Sequence, residues 1–203
     1  MEELENVSKE TMELLNKILE DMKKNISEKR ITHCLNVMKK CVELANIHNV
    51  DVNNAALAGL THDIAKEISF EDSLKIAKEN GIEFDDYEIN IPSLIHGKMG
   101  AFWVKKYYNL NTEIQHAIEY HTITNPEMDD LAKILYIADK IEDGRVSNDY
   151  NIEYEREMSK TNLDEAMIVI LSENLSVMIK KGKLIHPQAI KTRNALILKQ
   201  NNE

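Results

Sequence analysis

No stretch constrains the fold of this chain more than Ala55 to Lys66, AALAGLTHDIAK. Ala55, Ala56, Leu57, Ala58, Gly59 and Leu60 leave no polar stripe for solvent, so the segment reads as a helix buried on most sides. It runs directly into His62-Asp63. A buried imidazole beside a buried carboxylate needs partners, and a metal ion satisfies both. Adjacent residues on a helix point about 100° apart, so the two side chains would approach a metal centre from different directions or touch two metals. Lys66 follows four positions after His62, on the same face. The competing reading is an ordinary hydrogen-bonded pair near a helix end, and the remaining histidines weigh between the two.

Helices surround this segment on both sides, because only 6 glycines and 3 prolines interrupt a chain of 203 residues rich in Leu, Ile, Lys and Glu. Thr11 to Asn25 carries Met12, Leu15, Ile18, Leu19 and Met22 on one side. Ser27 caps a helix towards Asn49 with Ile31, Leu35, Met38, Val42 and Ala45 inward, and Asp51 or Asn53 opens the central one. Ser69 and Asp72 start a helix that Gly81 ends, and the acidic run Glu83 to Glu88 reads as a solvated loop. Ser93 to Tyr108 gathers Gly97, Gly100, Ala101 and Val104 on one close-packing face. Further helices run from Glu113 to His121, from beyond Pro126 to about Glu142, from Asn162 to Gly182, and onward from Pro187. Arg145 to Tyr154 is the one linker-like stretch. No strand alternation, internal repeat or low-complexity tract is present. The expectation is a single all-α domain over 1–203, with a core at about 27–145 and C-terminal helices at about 153–202.

Charge and cysteines narrow the setting. A net charge of -10 argues against nucleic-acid or anionic-membrane partners. An anionic small molecule remains admissible, since bound cations invert the local field. The acidic opening MEELENVSKE is neither a secretory nor a transit signal, and no run is apolar enough to cross a membrane. Cys34 and Cys41 stand two turns apart on one helix, about 10 Å, too far for a disulfide. They read as core filler in a reduced, cytoplasmic protein.

Sorted by helix face, the histidines converge. His121 continues the inward stripe Ile114, Ala117 and Ile118, while His116 points to solvent. His33 borders its stripe with Arg30 one turn earlier, and His96 sits beside the Gly97/Gly100 face. Asp139 borders Leu131, Ile134, Leu135 and Ala138, an expensive place for a carboxylate without a cation. Taken singly, each histidine reads as a satisfied core residue. Taken together, five helices aim His33, His62-Asp63, His96, His121 and Asp139 at one interior, which favours a shared site. His48 suits the dipole at a helix C-terminus, His186 before Pro187 shapes the last turn, and Trp103, Tyr107 and Tyr108 read as core and rim.

The order of these residues resembles the HD-domain metal-dependent phosphohydrolases, whose signature is a His, a His-Asp pair and a distant Asp. The phrases LAGLTHDIAK, LIHGKMGA, AIEYHT, LYIADKIE and KLIHPQAIKTRN are similar to those of the YqeK-type members, the symmetrical bis(5'-nucleosyl)-tetraphosphatases, over roughly Arg30 to Leu196. The resemblance implies an HD-domain helical bundle with a C-terminal helical extension, and a centre of two divalent or mixed-valence metal ions, iron with manganese or zinc as alternatives. It assigns His33, His62, Asp63 and Asp139 to one metal, with Asp63 bridging to a second held by His96 and His121. It further implies a metal-bridged hydroxide that splits diadenosine tetraphosphate into two ADP, with Asp63, His62 and Lys66 catalytic and Arg30, Lys66 and Lys98 around the phosphates. A homodimer is compatible with it.

Two departures stand out. The family's usual Gly-Arg after the YHT phrase is replaced here by Thr124-Asn125, and the usual proline after Glu142 by Asp143-Gly144. Hydrolysis of mononucleotides or of an alarmone, and a non-catalytic nucleotide-binding module with a structural metal, are the competing functions.

Overall fold

Polar side chains set where the helices begin. In the computed structural model, which describes residue 4 and residues 6–146 and 151–202, the described residues form helices and connections with no strand. They are α1 Lys9–Met22, α2 Glu28–His48, α3 Val52–Thr61, α4 Phe70–Asn80, α5 Asp86–Asn90, α6 His96–Tyr108, α7 Thr112–Tyr120, α8 Asp130–Ile141, α9 Ile152–Thr161, α10 Leu163–Lys180 and α11 Pro187–Gln200. Ser8, Ser27, Asp51, Ser69, Asn111, Asp129 and Asn162 each accept a backbone N–H of the first turn they precede. Gly81 and Gly182 close α4 and α10 with positive φ. No helix among the described residues is long and apolar enough to cross a membrane.

The core forms where α2, α3, α7 and α8 meet. Leu44, Leu60, Ile114, Ile118, Ile134 and Leu135 are fully buried there. Cys34 and Cys41 are buried and unpaired among them, as their spacing requires. Gly59 permits the closest approach: a Cβ at this position would lie 2.6 Å from the Met38 Cα of α2. Backbone cannot yield as a side-chain tip can, so Gly59→Ala is expected to destabilise by about 1–3 kcal/mol. A clearly lowered urea midpoint with an unchanged m-value would show it, and an unchanged midpoint would contradict it.

Several boundaries differ from the sequence expectation, each for a local reason. The central helix stops at Thr61 instead of continuing to Lys66. Beyond it Ile64 N–H donates to Thr61 and Lys66 N–H to Asp63, tight turns that remove Lys66 from the helical face of His62. Glu83 to Glu88 is not a solvated loop. Asp85 and Glu88 make a capping box for α5, and Glu88 is 0% exposed, paired with Lys98 at 2.7 Å. The helix expected from Ser93 begins at His96, after a 3-10 turn at Pro92–Leu94. Of the linker-like stretch, Ile152 onward is α9, and residues 147–150 lie outside the described residues. His48 also reaches α9, with Nε2 2.7 Å from the Ser159 carbonyl.

One acid in α9 sets a pH response. Glu155 is 3% exposed, and burial together with the Glu173 carboxylate of α10 raises its pKa to about 7. The folded chain therefore holds a proton that the unfolded chain has already released above the ordinary glutamate range. This contribution to stability is complete at low pH and is lost as pH rises through about 7. Glu155→Gln should remove that decline, melting above the wild type at pH 8 by on the order of 1–2 kcal/mol and matching it near pH 4. Parallel melting curves of the two proteins across pH would refute the assignment.

Candidate metal centre

Five elements place their polar residues around one point. His33 comes from α2, His62-Asp63 from the end of α3, His96 from the first turn of α6, His121 from the end of α7 and Asp139 from α8. All except the partly buried His33 are buried. Gly97 lets α6 press onto the end of α7, since a Cβ there would meet Thr122 Oγ1 at 2.5 Å and the Glu119 carbonyl at 2.8 Å. That contact is what brings His96 and His121 together.

The imidazoles are latched in the same way. Nδ1 of His62 donates to the Gly59 carbonyl at 2.8 Å, Nδ1 of His96 to Ser93 at 2.7 Å, and Nδ1 of His121 to Ile118 at 2.6 Å. His62 and His121 follow directly on the last residues of α3 and α7, so their N–H groups satisfy carbonyls that a helix end leaves free. The tautomer is thereby fixed, and every Nε2 turns a lone pair inward. His33 uses a carboxylate instead, with Nδ1 3.3 Å from Glu142 Oε1.

These lone pairs face one another in two sets. His33 Nε2 lies 3.3 Å from His62 Nε2, and His96 Nε2 lies 3.1 Å from His121 Nε2. Bare acceptors at such separations repel, and a shared cation between them converts repulsion into ligation. The carboxylates match both sets. Asp63 Oδ1 is 3.0 Å from His96 Nε2 and 3.7 Å from His121 Nε2, while its Oδ2 is 3.5 Å from His62 Nε2 and 3.7 Å from His33 Nε2. Asp139 Oδ1 is 3.1 Å from His33 Nε2 and 3.8 Å from His62 Nε2. Donor atoms of His33, His62 and Asp139 all fall within 4.8 Å of one another, as do those of His62, Asp63 and His121. The residues therefore fit transition metals that favour nitrogen with carboxylate.

Electrostatics keep the two carboxylates, His96 and His121 in ligating form, whereas at His62 burial is outweighed by Asp63 and Asp139, which raise its pKa. Burial alone would raise the Asp63 carboxyl, but the surrounding imidazoles of His62, His121 and His96 outweigh it and hold it below the ordinary range. Asp139 is likewise held low against burial, by Lys140 and His33. Burial lowers His121 to about 4 and also lowers His96, so both stay neutral.

A cavity of about 400 Å³ opens onto this centre. Arg30 lines it and donates to Asp63 Oδ2 at 2.6 Å, and Lys66 lines it with Nζ 3.2 Å from His96 Nε2. Leu171, Leu175, Met178, Leu184 and Ile185 supply an apolar wall. Lys98 is not brought to this cavity. It lines a neighbouring one, held by Glu88. Three participants escaped the sequence reading: Glu142 orients His33, Lys140 contacts Asp139 Oδ2 at 2.7 Å, and Arg145 contacts Asp139 Oδ1 at 2.9 Å. Glu142 lies three positions after Asp139, one helical turn on, which is the signal that could have found it.

A helical bundle that turns four imidazoles and two carboxylates into one interior is the architecture of a metal-binding HD-type domain. The model of the HD domain matches residues 30–144, and the chain belongs to that family. Among its relatives, a protein of Halalkalibacterium halodurans named bis(5'-nucleosyl)-tetraphosphatase, symmetrical, is 31% identical, covering 91% of this chain and 97% of that one. A Bacillus subtilis protein of the same name is 30% identical over 87% and 94%. A crystal structure from Clostridium acetobutylicum, described as a predicted HD superfamily hydrolase involved in NAD metabolism, superposes with a TM-score of 0.86 at 36% identity, covering 91% of this chain and 97% of that one.

Proposed function

We propose that this chain hydrolyses dinucleoside tetraphosphates at their centre, diadenosine tetraphosphate and water giving two ADP. The observation that carries the reading is near full-length similarity to two proteins named for this activity, joined to a cavity in which the donor cluster faces Arg30 and Lys66. His33, His62 and Asp139 would hold one metal, His96 and His121 the other, and Asp63 both. The nitrogen-rich donor set favours iron, manganese or zinc over magnesium. Bound divalent ions supply an activated water and neutralise charge on the reacting phosphoryl group.

The chain's own residues supply the remainder. Arg30 and Lys66 line the cavity beside the donor cluster and would meet the flanking phosphates of a bound tetraphosphate, which offsets the acidity of the whole protein. Glu142 keeps His33 in register through Nδ1. The apolar wall from α10 and the connection to α11 would keep water away from the reacting phosphates and offers a face to a nucleobase. Product chromatography tests the assignment: ADP alone from diadenosine tetraphosphate is the expected result. AMP with ATP would mean an asymmetric cut and overturn it.

A further inference from the structure

A second cavity, of about 440 Å³, adjoins the metal centre without contributing any proposed ligand. Ile123, Thr124 and His186 line both cavities, so the two chambers meet across these side chains. Its walls come from α5, the connection after α7 and the first turn of α11, and a bond of 2.9 Å between His186 Nε2 and Asp85 Oδ2 ties α11 to the start of α5.

The polar atoms here are unusual. Thr124 Oγ1, Gln188 Oε1 and Glu88 Oε1 are buried and have no hydrogen-bond partner among the described residues. Thr124 is 3% exposed and Glu88 0%. Leaving such an atom without a partner is costly, and three residues lining one cavity ask for a common explanation. All three atoms accept hydrogen bonds, so they suit a ligand that presents donors, such as an exocyclic amine and ribose hydroxyls.

Charge disfavours a phosphate as the main occupant. Asp85, Glu88 and Glu119 line the cavity against two lysines, Lys98 and Lys191; Lys98 is engaged by Glu88 and the Glu83 carbonyl, and His186 by Asp85, so the carboxylates outnumber the cations. Tyr87 and Tyr120 supply aromatic surface beside these acceptors. An uncharged nucleoside fits this mixture, and a free anion does not.

The geometry points to this cavity as the subsite for the second nucleoside of a dinucleoside polyphosphate, with Thr124, Gln188 and Glu88 accepting from its base and ribose. The inference rests on the proposed function. A substrate cut at its centre carries a nucleoside on each side of the reacting phosphates. One lies along the apolar wall of the metal cavity, and the other passes Thr124 and His186 into the adjoining chamber.

The test compares metal-loaded full-length proteins on diadenosine tetraphosphate and on adenosine 5'-tetraphosphate, which lacks the second nucleoside. Gln188→Trp fills the chamber, and Gln188→Leu only removes the acceptor. The ratio of kcat/KM for the two substrates, diadenosine over mono-adenosine, should fall by about tenfold or more in the tryptophan variant and by a smaller factor in the leucine variant. If the tryptophan variant does not fold, the leucine variant decides by the same ratio. Wild-type ratios in the folded variants, with ADP still formed, would overturn this subsite and leave the proposed function standing. Absence of ADP from the wild type would overturn both.

Discussion

Asp63→Asn is expected to remove bound metal and activity together. The two oxygens of Asp63 divide between the two imidazole pairs: Oδ1 faces His96 and His121, and Oδ2 faces His62 and His33. An asparagine presents one oxygen and an amide N–H2, a donor that no cation accepts as a ligand. Arg30, which donates to Oδ2 at 2.6 Å, would lose its anion and leave an uncompensated positive charge at the centre. The metal content should drop from about two ions per chain to well below one, with kcat/KM falling on the order of 10³-fold or more. His121→Ala reaches only one set of donors and should leave about one ion. Elemental analysis of the anaerobically purified proteins, with circular dichroism to verify helicity, separates these outcomes. An Asp63→Asn protein that keeps two ions and wild-type turnover would show that the carboxylate is no bridge.

Much of this centre is legible from local pattern. His121 and Asp139 continue or border apolar stripes, and a polar residue on an inward stripe must meet a partner inside. The caps were equally legible, because Ser27, Asp51, Ser69 and Asn162 satisfy N–H groups that any helix start exposes. Long-range compensation was not. The run around Glu88 reads as solvated because four of its six residues are acidic, yet Lys98, ten positions later and on another helix, supplies the charge that allows Glu88 to be buried. The same pairing explains why Lys98 lies beside the second cavity instead of the first. The carbonyl latches on His62, His96 and His121 depend on where a helix or turn ends to within one residue, finer than periodicity resolves. Arg145 approaches Asp139 from a connection whose course no helical pattern dictates.

Metal loading should stabilise the fold by an amount large enough to read from melting curves alone. Four imidazoles and two carboxylates converge in a buried space, and the unfolded chain scatters them over more than a hundred residues, so a cation binds the folded form far better. At a free ion concentration about 1,000 times its Kd, binding contributes about 4 kcal/mol. For a chain of this size each kcal/mol moves Tm by about 2–4 °C, so chelated protein should melt about 8–16 °C below protein loaded with manganese or ferrous iron. Magnesium at the same concentration should give a far smaller shift, because it prefers an all-oxygen octahedron to a nitrogen-rich site. Asp63→Asn supplies the control: its Tm should barely respond to any of these ions. Equal shifts with magnesium and manganese, or a wild-type shift retained in Asp63→Asn, would place the stabilising ion somewhere other than among these six side chains.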